Sequence, residues 1–237
     1  LQIVQLLKTV PLYISYFFKV VDLHSLQAPY IYRFYSGLIS GLNSAKADSE
    51  IETVREELKK NKLEIKGGDL GAGSRVIGFS GGRKISSIAK FGISSGRDCL
   101  FISQLASMTQ GRISLELGTS LGLTTAYLSR ANPSGRIYTF EGNEDLCEVA
   151  LANWQRLNCR NIYLIRGGID FHLDSILQNI NEIDFVIIDA NHQKKAVMRY
   201  FEVIYPKMSR GGIVLVDDIR WSVEMYRAWS LMIKDAR

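Results

Sequence analysis

The stretch ISLELGTSLGLTTAYLSRANPSGRIYTFEGN, residues 113–143, decides the fold. An apolar run, ISLEL, ends at Gly118, and Gly122 follows at the start of an amphipathic segment opened by Thr124 and Thr125. A second apolar run, RIYTFE, then closes on Glu141. The order is strand, glycine turn, helix, strand, acid. Glycines at such a turn let the backbone approach a ligand, and the helix start offers free N–H groups. A carboxylate ending the second strand can accept hydrogen bonds from both hydroxyls of a ribose. The spacing Glu116-x-Gly118-x-x-x-Gly122 is weak evidence alone, and a lone Glu141 reads as a solvated strand end. Together they read as a nucleoside site.

Downstream, β-rich runs keep alternating with amphipathic ones: DLCEVALANWQRL, NIYLIRG, FHLDSILQNI, DFVIIDA, AVMRYFEVIYPKM, GGIVLVDD and VEMYRAWSLMI. Such alternation predicts βαβ units folded by right-handed crossovers into a parallel sheet with helices on both faces. DFVIID and GIVLVD are continuous apolar runs, as strands covered on both faces should be.

Upstream, residues 66–98 carry nine glycines and read as a lid or loop. Between Lys66 and Arg97 lie Arg75, Arg83, Lys84 and Lys90, opposed inside that span by Asp69, which makes the segment basic. Its DLGAGS run, residues 69–74, mimics a nucleotide loop but has no apolar strand before it and no helix after it. Residues 1–65 read as a helical extension, with an amphipathic stretch at 49–63. Its rings, Tyr13, Tyr16, Phe17, Phe18, Tyr30, Tyr32, Phe34 and Tyr35, suit packing or a homodimer interface. The domains expected are therefore 1–65, 66–98 and 99–237.

A chain of 237 residues, 46% hydrophobic, can bury one sizeable core. Cys99, Cys147 and Cys159 form no CxxC pair and suggest a reducing, cytoplasmic setting. The opening LQIVQLLKTVPLYISYFFKVV is apolar, but Lys8, Pro11 and Lys19 interrupt it short of the roughly 20 residues of a membrane span. A net charge of +5 permits a nucleic-acid partner without requiring one.

LELGTSLGLTTAYLS, YTFEGN, DFVIIDANH and GGIVLVDDI resemble the class I S-adenosylmethionine-dependent methyltransferases, and within them the small-molecule O-methyltransferase branch. The resemblance covers about residues 95–230. It implies an α/β, Rossmann-like, doubly wound and mostly parallel sheet of order 3-2-1-4-5, whose terminal antiparallel strands are missing or truncated here. It implies that Glu116, Gly118, Thr119, Ser120 and Gly122 hold the methionine part of S-adenosylmethionine, that Glu141 and Gly142 hold its ribose, and that Asp189 also borders the cofactor. Where the family often places an acid for adenine, this chain reads RGGID, which leaves backbone near Gly167, Gly168 and Ile169, or else Asp170, as the contact. Asn143 either flanks adenine or caps the next helix.

An activated methyl needs an aligned acceptor and, for a hydroxyl, a base. Asp189 closes the fourth strand, and Asp217 and Asp218 close the fifth. On neighbouring strands about 4.8 Å apart, three carboxylates converge, as Mg²⁺ or another divalent cation would require. The resemblance implies acids at Asp189 and Asp217 in its metal-dependent members. The competing reading is that Asp217 and Asp218 cap the helix near Trp221. His192, just past Asp189, is a candidate general base, although a lone histidine there reads as a surface residue. A small-molecule O-methyltransferase leads. An RNA or protein methyltransferase, a nicotinamide dehydrogenase and a non-catalytic protein of the same fold stand as alternatives.

Overall fold

A computed structural model describes residues 10, 11, 14, 26–66 and 82–235. Five strands form one sheet: β3 (Ile113–Leu117), β4 (Arg136–Glu141), β5 (Ile162–Arg166), β6 (Ile183–Ile188) and β7 (Met208–Val216). Their order is β5-β4-β3-β6-β7, and every pairing is parallel. This is the expected 3-2-1-4-5 sequence, with chain order reversing between β3 and β6. Helices α5 (Leu123–Ala131), α6 (Glu144–Arg156), α7 (Ile169–Gln178) and α8 (Lys194–Ile204) make the crossovers, and α9 (Val223–Met232) follows β7.

All six residues of β6 are buried, as a continuous apolar run demands. The same expectation for GIVLVD is corrected: β7 pairs with β6 at the sheet's margin and is only half-buried from Ile213 to Val216. Among the described residues no strand follows β7. Asp184, buried within β6, accepts hydrogen bonds from the Ile113 N–H (3.0 Å) and the Ser209 hydroxyl (2.7 Å), tying three strands together below the site.

The extension holds α1 (Pro29–Ser44) and α2 (Ser49–Leu58), followed by a two-stranded ladder of β1 (Glu64–Ile65) with β2 (Arg83–Lys84). Asp48 caps α2 by accepting from the N–H groups of Glu50 and Ile51. Ile51, Val54 and Leu58 of α2 share one apolar cluster with Leu123, Ala126 and Tyr127 of α5 and Trp154 of α6. Around that cluster Arg130 pairs with Asp48 (3.0 Å) and Glu50 (2.5 Å), and Arg156 pairs with Glu57. Tyr30, Tyr32 and Tyr35 of α1 are exposed. The rings at 13 and 16–18, Arg75 and the DLGAGS run lie outside the described residues.

The expected lid, residues 66–98, is different where it is described. After β2 come α3 (Ile85–Phe91) and the start of α4 (Gly96–Ser107), which opens on a reciprocal capping box between Ser95 and Asp98. Ile85, Ile88 and Ala89 are buried in the cluster shared by α2, α5 and α6. Apolar residues at i, i+3 and i+4 on one face explain this, and the flanking glycines hid so short a helix. The boundary expected at 98/99 falls inside α4. Ile88→Ala should therefore destabilise the protein by about 2–5 kcal/mol, as a buried Ile truncation does. Urea unfolding of both proteins measures it, and an unchanged midpoint would mean that α3 is a loosely held cover.

Candidate active site

At the carboxyl ends of β3 and β6 the two chains nearly touch. Gly118 has φ of +109°, and a Cβ there would collide with the carbonyl oxygen of Asp189. The Asp189 N–H in turn donates to the Leu117 carbonyl (3.0 Å). The rest of the turn hangs from α6: the Trp154 indole N–H donates to the Gly122 carbonyl (2.7 Å) and the Asn153 amide to that of Leu121 (2.9 Å). Gly122 thus faces Trp154 and not open space.

Glu116 points into the protein. It is 1% exposed, and its Oε2 accepts from the hydroxyls of Thr125 (2.5 Å) and Thr139 (2.6 Å). The Thr119 hydroxyl meets that of Thr139 at 2.6 Å. Burial pushes the Glu116 carboxyl up to about 7, against the two hydroxyl bonds, with the charge of Glu141 adding to the rise.

Glu141 ends β4 with both oxygens ordered by backbone: Oε2 accepts from the Ser120 N–H (2.8 Å) and Oε1 from the Asn143 N–H (2.9 Å). Asn143 caps α6 through the Leu146 N–H (3.1 Å), so its capping reading holds, and it also lines the site. A cavity of about 400 Å³ opens here, walled by Gly118, Ser120, Glu141, Gly142, Gly168 and Ile169. Asp170, Asn191 and Tyr200 also line it, with Phe171, a ring 85% exposed. The Asp170 carboxylate accepts from Arg199 (3.0 Å) and the Tyr200 hydroxyl (3.4 Å). The Asn191 Oδ1 is buried without a hydrogen-bond donor.

A second cavity of about 550 Å³ adjoins the first. Asp217, Asp218, Trp221, Phe91 and Phe101 line it, and Arg83, Gly92, Asp189 and His192 line both. The His192 Nε2 stands 3.9 Å from Asp189 and 3.8 Å from Asp218, its ring tilted against Trp221 at 5.9 Å. Burial first, then the charges of Asp217 and Asp218, hold the Asp189 carboxyl well above the usual carboxylate range.

The structure thus brings Gly118, Ser120, Glu141, Gly142, Gly168, Ile169, Asp189 and His192 to these walls. Glu116, Thr119 and Gly122 are not in the lining; they brace the turn from behind. The capping alternative for Asp217 and Asp218 is corrected, since Ser222 caps α9 by accepting from the Met225 N–H (3.1 Å). Asp189, Asp217 and Asp218 border one cavity, yet among the described residues no group of three or more His, Cys, Asp or Glu side chains is disposed to hold a metal ion. The acids end adjacent strands, but Asp217 turns one oxygen onto the Asp218 N–H (2.7 Å). Arg83, Gly92, Asn191, Phe171 and Trp221 were not legible as site residues. Asn191 offered the one usable signal, an asparagine just past a strand, where φ of +65° suits its side chain.

Residues 115–219 match the family model described as a methyltransferase domain. Catechol O-methyltransferase of Niastella koreensis is 32% identical over 121 residues, 50% of this chain and 53% of that one. The Mycobacterium tuberculosis protein of the same name is 31% identical over equal shares of both chains. The chain thus spans about half the length of the curated relatives it matches. An O-methyltransferase from Bacillus cereus in complex with SAH superposes with a TM-score of 0.57 at 21% identity, over 82% of this chain and 83% of that one. The Streptomyces achromogenes O-methyltransferase TomG, in complex with SAM, gives 0.61 at 17% identity, over 85% of each chain. These two likenesses speak to the fold. The resemblance to class I S-adenosylmethionine-dependent methyltransferases holds for this domain.

Glu116 makes stability depend on pH. Its folded value lies above the ordinary 4.5, so between pH 4.5 and 7 the folded state binds more protons than the unfolded one and stability falls as pH rises. The loss is complete above the folded value and amounts to about 3 kcal/mol. Glu116→Gln should abolish this slope in urea unfolding at pH 5 and pH 8; equal slopes in both proteins would assign the dependence to another group.

Proposed function

We propose that this chain transfers a methyl group from S-adenosylmethionine to a hydroxyl of a small acceptor. One observation carries the reading: a nucleoside-sized cavity and a second, partly aromatic cavity meet at Asp189 and His192. Two molecules held there would touch at that wall.

The residues present fit the cofactor. The first cavity, about 400 Å³, lies within the range of small-ligand sites. Glu141 is oriented before anything binds, both oxygens held by backbone N–H groups, and its carboxylate is the group that would meet the two ribose hydroxyls. Beyond it, backbone at Gly168 and Ile169 borders the adenine end, where Asn191 Oδ1 supplies a buried acceptor for an amine. Asp170 is engaged with Arg199, which favours backbone over its carboxylate as the adenine contact. S-adenosylmethionine supplies, when bound, a methyl already activated on sulfonium.

The chain's own tasks are alignment and proton removal. Phe91, Phe101 and Trp221 make apolar walls for a flat acceptor. His192 Nε2 takes the hydroxyl proton, and the carboxylates of Asp189 and Asp218 stand beside the charge that results. The exposed rings of α1 support self-association through that helix. The free thiols Cys99, Cys147 and Cys159 suit a cytoplasmic protein.

Calorimetry with S-adenosylhomocysteine tests the cofactor reading. Glu141→Ala should weaken binding about ten- to a hundredfold, the worth of hydrogen bonds to a charged group, and no binding by folded wild type would refute it. For catalysis, His192→Ala should lower kcat on the order of a hundredfold, beyond any change in cofactor affinity measured alongside it. Turnover that survives the substitution, or that EDTA abolishes and Mg²⁺ restores, would take the proton step away from His192.

A further inference from the structure

Arg83 sits at the wall common to both cavities and, among the described residues, is the one Arg or Lys lining either of them. Its backbone is fixed by the β1–β2 ladder, where it faces Ile65, and by the Ile85 N–H donating to the Leu63 carbonyl (2.9 Å). The buried face of α3 anchors the segment immediately after it. Its guanidinium lies across Gly92: a Cβ on Gly92 would stand 3.0 Å from Nη2 and 3.3 Å from the Ile88 carbonyl. Gly92 has an ordinary negative φ of −120°, so what favours glycine there is the space taken by the guanidinium.

The ligand order along the first cavity follows from the residues already placed. With adenine toward Asp170 and Phe171 and ribose at Glu141, the amino-acid tail reaches the wall formed by Arg83, Gly92, Asp189 and His192. That tail is a zwitterion, one ammonium and one carboxylate. Among the described residues that wall carries the carboxyl of Asp189 and the guanidinium of Arg83. A planar guanidinium pairs with a carboxylate through two parallel N–H donors, and an enclosed site strengthens the pair.

The geometry points to Arg83 as the residue that binds the α-carboxylate of the cofactor's amino-acid tail, with Gly92 leaving room for its guanidinium. This rests on the cofactor reading above. It turns a segment whose charge suggested a flexible basic lid into a fixed reader of one functional group.

Two ligands separate the possibilities: S-adenosylhomocysteine, which carries the tail, and 5′-methylthioadenosine, the same nucleoside thioether without it. By calorimetry, Arg83→Met should weaken S-adenosylhomocysteine about ten- to a hundredfold and leave 5′-methylthioadenosine unchanged. Arg83→Lys should recover part of the loss, and Gly92→Ala should show a smaller loss confined to the tailed ligand. Glu141→Ala should weaken both ligands alike. An equal loss of both in Arg83→Met would reduce Arg83 to a structural prop. Unchanged affinity for S-adenosylhomocysteine with a raised KM for the acceptor would assign it to the acceptor and overturn the proposal. A folded wild type that binds neither ligand refutes the cofactor reading itself, and the role of Arg83 with it.

Discussion

The lack of room between Gly118 and the Asp189 carbonyl governs this site. It forces the ends of β3 and β6 together at the point where chain order reverses, so the loops leaving them must diverge to opposite sides. One loop runs to Ser120 and on to Glu141; the other runs to Asn191 and His192. Both loops line the first cavity, and Asp189 and His192 of the second loop also line the other. A side chain at 118 would pry the strands apart and separate the two cavities.

Behind that seam a polar layer keeps the turn in place. Glu116 receives hydroxyls from α5 and β4, and Thr119 joins them through Thr139. The cost of burying the carboxyl appears in its raised titration, while the hydroxyl bonds recover part of it. The arrangement is directional where an apolar packing would not be: each hydroxyl meets its acceptor at one register of β3 against β4. Trp154 and Asn153 hold the outer side of the same turn. The loop is therefore braced from two directions before a ligand arrives, which lowers the ordering cost of binding.

Much of this was legible in the sequence because its signals are local. Apolar runs alternating with amphipathic ones carry the sheet, and an acid 23 residues beyond Gly118 marks Glu141. What failed to show depends on contacts between distant residues. Nothing near Gly122 announces that Trp154, 32 positions on, is its neighbour. Strand spacing brings three carboxylates to adjacent strand ends but does not fix their direction: Asp217 turns one oxygen onto the Asp218 N–H. The glycine-rich stretch around Arg83 masked a short helix, because seven residues are too few for periodicity to outweigh their flanks.

The seating of α2 has a further consequence. Its apolar centre of Ile51, Val54 and Leu58, ringed by Arg130 and Arg156 with their acids, has the anatomy of a protein–protein interface folded into a single chain. Ions at physiological strength screen such exposed pairs over about 8 Å, and each is worth at most about 1 kcal/mol. The apolar seat is indifferent to ions. Because α3 and Arg83 rest on that same seat, salt will blunt the rim while the wall between the two cavities keeps its place, at concentrations that would release a partner held by charge alone.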